Sequence, residues 1–270
     1  MVEISGKYKI GTRRFGSINW IGAWTLYKKE VLRFLIVWIQ TLFSPLITSL
    51  LFLSVLSLAI GNDRGDVLGV PFIVFLAPGL IAMQIIQQAF SHSSSSFMIG
   101  KIQGNIVDLL YAPLSAGEVT LAVTLASVTR SVLIAAISLL VFYLFIDLEI
   151  KNFMTLIAFT LLSAFSLGAL GIIAGLWAEK FDHMATVTNF IIIPLSFLSG
   201  TFYSIERLPE VLQVISKANP FFYMIDGFRY GFLGVNDGNI NIGIVFLFIG
   251  NITAILICMR IFKKGYRLKS

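Results

Sequence analysis

Apolar runs of membrane-crossing length recur along this chain, separated by short polar or glycine-rich breaks. A helix needs about 20 predominantly apolar residues to cross a hydrocarbon core of roughly 30 Å. Such windows run from Leu35 to Ile60, Pro71 to Phe90, Val119 to Ile146, Phe153 to Trp177, Met184 to Gly200 and Ile242 to Phe262, which predicts six spanning helices. The breaks are GNDRGDVLGV after the first span, SHSSSSFMIGKIQGNIVDLLYAPLSAGE after the second, DLEIK after the third and AEKFDH after the fourth, each read as a loop. The expected fold is an all-α polytopic membrane protein, one domain over residues 1–270 with a six-span core at 35–262.

Two stretches depart from this pattern. Ile18 to Phe34 mixes Trp20, Ile21, Trp24, Leu26, Leu32 and Phe34 with Lys28, Lys29, Glu30 and Arg33. Tryptophans beside a basic run suit the headgroup layer, so the segment reads as an interfacial helix on the inner leaflet, with extension of the first span as the alternative. Residues 1–34 are then tail plus interfacial helix, and 263–270 a second tail. From 201 to 241, apolar pieces are broken by Pro209, Pro220, Gly227, Gly231 and Gly234 and carry Glu206, Arg207, Glu210, Lys217, Asp226 and Arg229. An unpaired charge at the bilayer centre costs about 3 kcal/mol or more, so short half-inserted helices on the outer face are expected here in place of a span. Leu208, Val211, Leu212 and Ile215 give one of them an apolar face.

Composition sharpens the reading: 57% of residues are hydrophobic and 13% charged, against roughly 25% charged in soluble domains. An even number of spans places both termini on one side. Lys7, Lys9, Arg13, Arg14, Lys28, Lys29, Arg33, Lys101, Lys180, Arg260, Lys263, Lys264, Arg267 and Lys269 then fall in the cytoplasm, against Arg64, Lys151, Arg207, Lys217 and Arg229 outside. The formal charge of +6 is thus a topology signal, and nucleic-acid binding is not needed to explain it. The N-terminal residues lack the apolar stretch and cleavage site of a secretory signal, so none is expected.

Candidate chemistry is sparse. Cys258 is the single cysteine, and His92 and His183 sit in separate breaks without a second ligand at metal spacing, so no metal is expected. The spans hold no paired carboxylates and no Ser/His or Asp/His set, which argues against an intramembrane enzyme. No GxxxxGK[ST] phosphate loop occurs: Lys101 follows Gly100, but Ile102 follows it and no glycine stands five residues earlier. Arg130 is the one charge deep in an apolar window, and it either snorkels to the inner interface or lines the inner mouth of a pathway. Gly171 and Gly175, with Gly168 nearby, permit close helix approach, within one chain or at a seam between two.

The chain resembles the permeases of type-2 ATP-binding-cassette (ABC) exporters. The resemblance is carried by IIIPLSFLSGTFYSIERLPEVLQVISKANPFFYMIDGFRYGFLG, with Pro194, the Leu198–Ser199–Gly200 turn before an aromatic pair, Leu208–Pro209, Asn219–Pro220, and Arg229 ahead of Gly234. DLLYAPLSAGE, from Asp108 to Glu118, is similar to the loop where this family keeps the helix that docks on the ATPase. The resemblance implies a permease of a bacterial plasma (inner) membrane, with N- and C-termini cytoplasmic. It would pair with a second, identical copy and with two cytoplasmic ATPase subunits that use ATP and Mg, no cofactor being bound by this chain.

Asp108, Leu109, Leu110, Tyr111, Ala112 and Pro113 would form the coupling helix, presenting Leu109, Leu110 and Tyr111 to the ATPase. Arg130, Phe202, Tyr203, Phe221 and Arg229 are the pathway or gate candidates. The outer aromatics also suit an interfacial belt, and Arg229 and Asp226 either meet a charged substrate or pair with each other. The expected cargo is a lipid-linked glycan, lipid or hydrophobic drug. An ATP-independent channel or membrane scaffold is the competing function.

Overall fold

In hydrocarbon each backbone N–H and C=O must be satisfied within its own segment, so every apolar window becomes a helix. The computed structural model describes residues 18–60 and 65–265. The basic segment before Ile18, together with Asp63, Arg64, Arg267 and Lys269, on which part of the charge asymmetry rests, lies outside the described residues.

Helix α1 (Trp20–Ile36) is followed by a π-helical turn (Ile39–Phe43) that runs into α2 (Ser44–Ile60). Then come α3 (Phe72–Ile102), the short α4 (Ile106–Tyr111), α5 (Ala116–Tyr143) and α6 (Phe153–Trp177). Helix α7 (Phe181–Val187), a second π turn (Thr188–Ile192) and α8 (Ile193–Leu198) form one continuous span. A 3-10 turn (Ile205–Arg207) leads to α9 (Glu210–Ala218), α10 (Pro220–Leu233) and α11 (Ile240–Lys264). Among the described residues six helices are long and apolar enough to cross a membrane, and β structure is limited to the Val67–Val70 bridge.

The predicted second span is too short. Helix α3 continues past Phe90 to Ile102, so SHSSSS is helix and His92 lies fully buried in it, not in a loop. The Ser94 and Ser95 hydroxyls donate back to the carbonyls of Ser91 and His92, which keeps these serines satisfied inside a helix. The small size of Ser93 and Ser94 also lets α6 lie directly against α3. A β-carbon on Gly171 would stand 2.5 Å from the Phe90 carbonyl oxygen, and one on Gly175 would stand 2.7 Å from that of Ser94. The glycine pair therefore serves packing within the protomer.

Helix α3 is the centre of the bundle, with 78% of its apolar window buried, and α2, α5, α6 and α10 pack on it. The spans Ile39–Ala59 and Phe181–Leu198 have only 22% and 17% buried and leave open faces. Helix α1 ends at Val37 as a separate element, not as an extension of the first span. The predicted outer segment consists of two helices. Asn219 caps α10 by accepting from the Phe221 amide, Pro220 opens it, and Gly234 ends it in the left-handed region. Packed against α3, α6 and α11, α10 is the buried member of the pair, whereas α9 leaves Val211 and Ile215 exposed.

Candidate functional site

Polar residues recur on α3 at Gln84, Gln87, Gln88, Ser91 and Ser95, positions three and four apart that fall on one helical stripe. The stripe lines a groove of about 600 Å³ closed by Arg33 of α1, by Gln40, Thr41, Ser44 and Thr48 around the first π turn, and by Arg130 of α5. Arg130 is 8% exposed, and its guanidinium is held by the side-chain oxygen of Gln88 on α3. It lies 14 residues into α5, about 21 Å along a helix of 1.5 Å rise, and so near the middle of the span. The buried Nε of Arg130 and side-chain oxygen of Gln84 have no hydrogen-bond partner among the described residues.

At the α1 end of the groove, α1 is stapled to α3. Arg33 donates to Glu30 at 2.9 Å, to the Ser95 hydroxyl at 3.3 Å and to the His92 carbonyl at 2.9 Å. Glu30 is 2% exposed, lies 3.8 Å from His92 Nε2, and neutralises Arg33. The opposite end of α1 is tied to α5. Ser115 and Glu118 form a capping box that starts α5. Glu118 also accepts the Asn19 backbone N–H at 2.7 Å, while the Asn19 amide donates to the Pro113 carbonyl at 3.2 Å. Asn19 in turn caps α1 through the Gly22 amide.

Pro113 follows the C-cap of α4, Ala112, so this double cap joins α1, α4 and α5 at one point. Within α4, Ile106 is buried and Leu109 turns towards α1, whereas Leu110 and Tyr111 are exposed, Tyr111 at 86%. Leu109 is thus turned into the protomer, because helical spacing puts it on the same side as Ile106. Asp108 and Ala112 line a shallow groove beside Asn19 and Leu26.

The outer candidates separate into two sets. Phe202 packs between Phe52 of α2 and Phe197 of α8, with ring centroids at 6.0 and 5.3 Å, and the Tyr203 hydroxyl donates to the Phe197 carbonyl. The Phe197 and Phe202 rings stand at the C-terminal end of the Phe181–Leu198 span, against the middle of α2. Phe221 and Arg229, by contrast, are 3% and 1% exposed. Arg229 donates to the Gly200 carbonyl at 2.6 Å and lies 3.9 Å over the Phe75 ring. Asp226 forms no ion pair with it among the described residues and accepts instead from the Asp237 and Gly238 amides. Burial pushes its carboxyl up to about 6, against the opposing pull of those amides and Arg229. Arg229 thus ties α10 to the Gly200 turn after α8 and to Phe75 of α3, and Asp226 ties it to the loop before α11.

Sequence reasoning missed the glutamine stripe, the Glu30–Arg33–His92 staple and the Asn19–Glu118 tie. A helical periodicity of polar residues inside the second apolar window was the available signal, which window averaging removes.

A six-span helical bundle with a polar groove on one side and a short exposed helix tied to the start of α1 and α5 defines the class of multi-pass membrane transport subunits. The match to known proteins is closer than a class: the model of the ABC-2 type transporter family covers residues 22–233, and the chain belongs to that family. It is 33% identical over 255 residues to the inner membrane transport permease YadH of Escherichia coli K12, across 94% of this chain and 99% of the relative. It is also 26% identical over 226 residues to nodulation protein J of Rhizobium leguminosarum bv. trifolii, across 81% of this chain and 83% of that protein. The chain is therefore the membrane subunit of an ABC transporter, a multi-pass inner-membrane protein and not an enzyme. Membership also implies association with an ATPase subunit.

Proposed function

We propose that this chain forms, with a second and identical copy, the translocation pathway of an ATP-driven exporter powered by two cytoplasmic ATPase subunits. ATP and Mg are used by those subunits, and both termini of the permease lie in the cytoplasm. The cargo belongs among lipid-linked glycans, lipids and hydrophobic drugs.

The observation that carries the reading is the polar groove and what flanks it. A helix that meets lipid should be strongly apolar. The α11 span fits, with mean hydropathy 2.5, but Phe181–Leu198 reaches only 1.3 while being the least buried of the six. Its open face is better suited to a protein or a polar pathway than to acyl chains. The groove lies beside the other little-buried span, so two copies meeting along these faces would enclose it. Helix α4, with Leu110 and Tyr111 outward, supplies the ATPase contact, and the Asn19–Glu118 tie would pass its displacement to α1, α3 and α5.

Affinity purification of the permease with its ATPase partner tests this. Leu110→Asp or Tyr111→Asp should abolish both recovery of the complex and stimulated ATP hydrolysis while leaving membrane insertion intact. Retention of both activities would remove the coupling role of α4, and cargo movement at full rate without nucleotide would favour a passive channel.

A further inference from the structure

The groove has a charge balance that narrows what it can hold. Its two cations are Arg33 and Arg130. Arg33 is answered by Glu30 at 2.9 Å. Arg130 has no carboxylate within ion-pair distance among the described residues: α3 contributes only neutral glutamines, serines and His92 around it, and α2 carries no acid. A guanidinium presents five N–H donors in a planar fork, and this one uses a single nitrogen on Gln88, while its Nε remains buried and unpartnered. An unneutralised cation near the middle of a membrane span is costly to keep and marks a place where an anion is met. Gln84, 94% buried, lines the same groove with Gln87 and Gln88; its unpartnered oxygen is an acceptor and does not hold an anion, so what these side chains offer an oxyanion is their amide NH2 groups.

We propose that the α3 groove is a binding site for the oxyanion head of an amphiphile, a phosphate or carboxylate held by Arg130 with the amides of Gln84, Gln87 and Gln88 beside it. The proposal rests on the permease reading above and sharpens its cargo: a neutral hydrophobic drug leaves Arg130 unanswered, whereas an anionic lipid or a phosphate-linked glycan neutralises it. A planar guanidinium matches two oxygens of such a head. The head comes either from a transported amphiphile or from a resident anionic lipid of the inner leaflet, and both share this chemistry.

The test uses the full chain with its ATPase in phosphatidylcholine nanodiscs and a diazirine-bearing alkyl phosphate, compared with an alkyl glucoside of the same chain length. The phosphate probe should label peptides around Gln84–Ser95 and Arg130. Arg130→Gln should reduce that labelling about 10-fold or more, the scale of a lost charge-assisted hydrogen bond, and Arg130→Lys should retain a substantial part of it. Competition by phosphatidylglycerol should be stronger than by further phosphatidylcholine. In sealed proteoliposomes, ATP-driven movement of the probe identifies the site's occupant as cargo, and labelling without movement as resident lipid; either result supports an oxyanion site. Equal labelling by the glucoside, or labelling unaffected by Arg130→Gln, overturns it. That failure is separable from failure of the permease reading, which would instead show as ATP hydrolysis indifferent to the wild-type permease.

Discussion

Glu30 and Arg33 sit one helical turn apart in α1, yet their importance lies in what they attach. A carboxylate 2% exposed is tolerated because Arg33 pairs with it at 2.9 Å and His92 lies at 3.8 Å. The same guanidinium then reaches α3 through Ser95 and the His92 carbonyl. Glu30→Ala leaves the arginine unneutralised against a buried imidazole. Complete burial would put the cost at about 3–5 kcal/mol, but Arg33 keeps 27% exposure, so solvent screening brings the expected loss to about 1–2 kcal/mol. Thermal unfolding of the purified protein should show a lower midpoint, and an unchanged midpoint would mean that α1 is held by packing alone. The staple was not legible at this scale, since Glu30 and Arg33 read as part of an interfacial helix suited to the headgroup layer, and His92 read as part of a serine loop.

At the scale of elements, hydropathy located all six spans because each must bury its backbone polarity locally. The fourth span, Phe153–Trp177, has the bounds the sequence predicts. The second was cut short because a serine cluster has the composition of a loop, while its role is to present a low-profile surface for Gly171 and Gly175. The π turns were not legible either. Each lies just before a proline, Pro45 or Pro194, and within the two least-buried spans. A proline cannot donate to the helical ladder, and a wider turn beforehand accommodates the missing bond. The joint between α1, α4 and α5 yields a direct expectation. Glu118→Ala removes half of a capping box and the acceptor of the Asn19 amide, which costs about 1 kcal/mol at the cap alone. Hydrogen exchange should speed up at the start of both α1 and α5, with Glu118→Gln intermediate. Faster exchange confined to α5 would show that α1 does not depend on the tie.

For the whole molecule, the uneven burial of the spans bears on assembly. Helix α2 leaves Leu51, Val55 and Leu58 exposed at 60%, 59% and 84%, beside the groove. Helix α11 leaves Val245, Ile249 and Ile252 exposed on the most apolar span, the composition that suits lipid. Single cysteines placed along the α2 row should therefore trap a dimer with a short bis-maleimide in native membranes, and those along the α11 row should not. Trapping on α11 alone would move the seam to the other side of the bundle. This arrangement was only partly readable from sequence: the count of spans and the missing phosphate loop pointed to a partner-dependent permease, but which faces stay open depends on contacts between distant helices.

The account turns on the α3 groove changing its access when ATP is bound by another subunit. Placing Gln88→Cys in a Cys258→Ser background and measuring its rate of modification by a membrane-impermeant maleimide tests this directly. In the permease–ATPase complex the rate should change severalfold between nucleotide-free and ATP-trapped states, and the isolated permease should show no response to nucleotide. The same rate in every state, or a nucleotide response without the ATPase, would contradict the account.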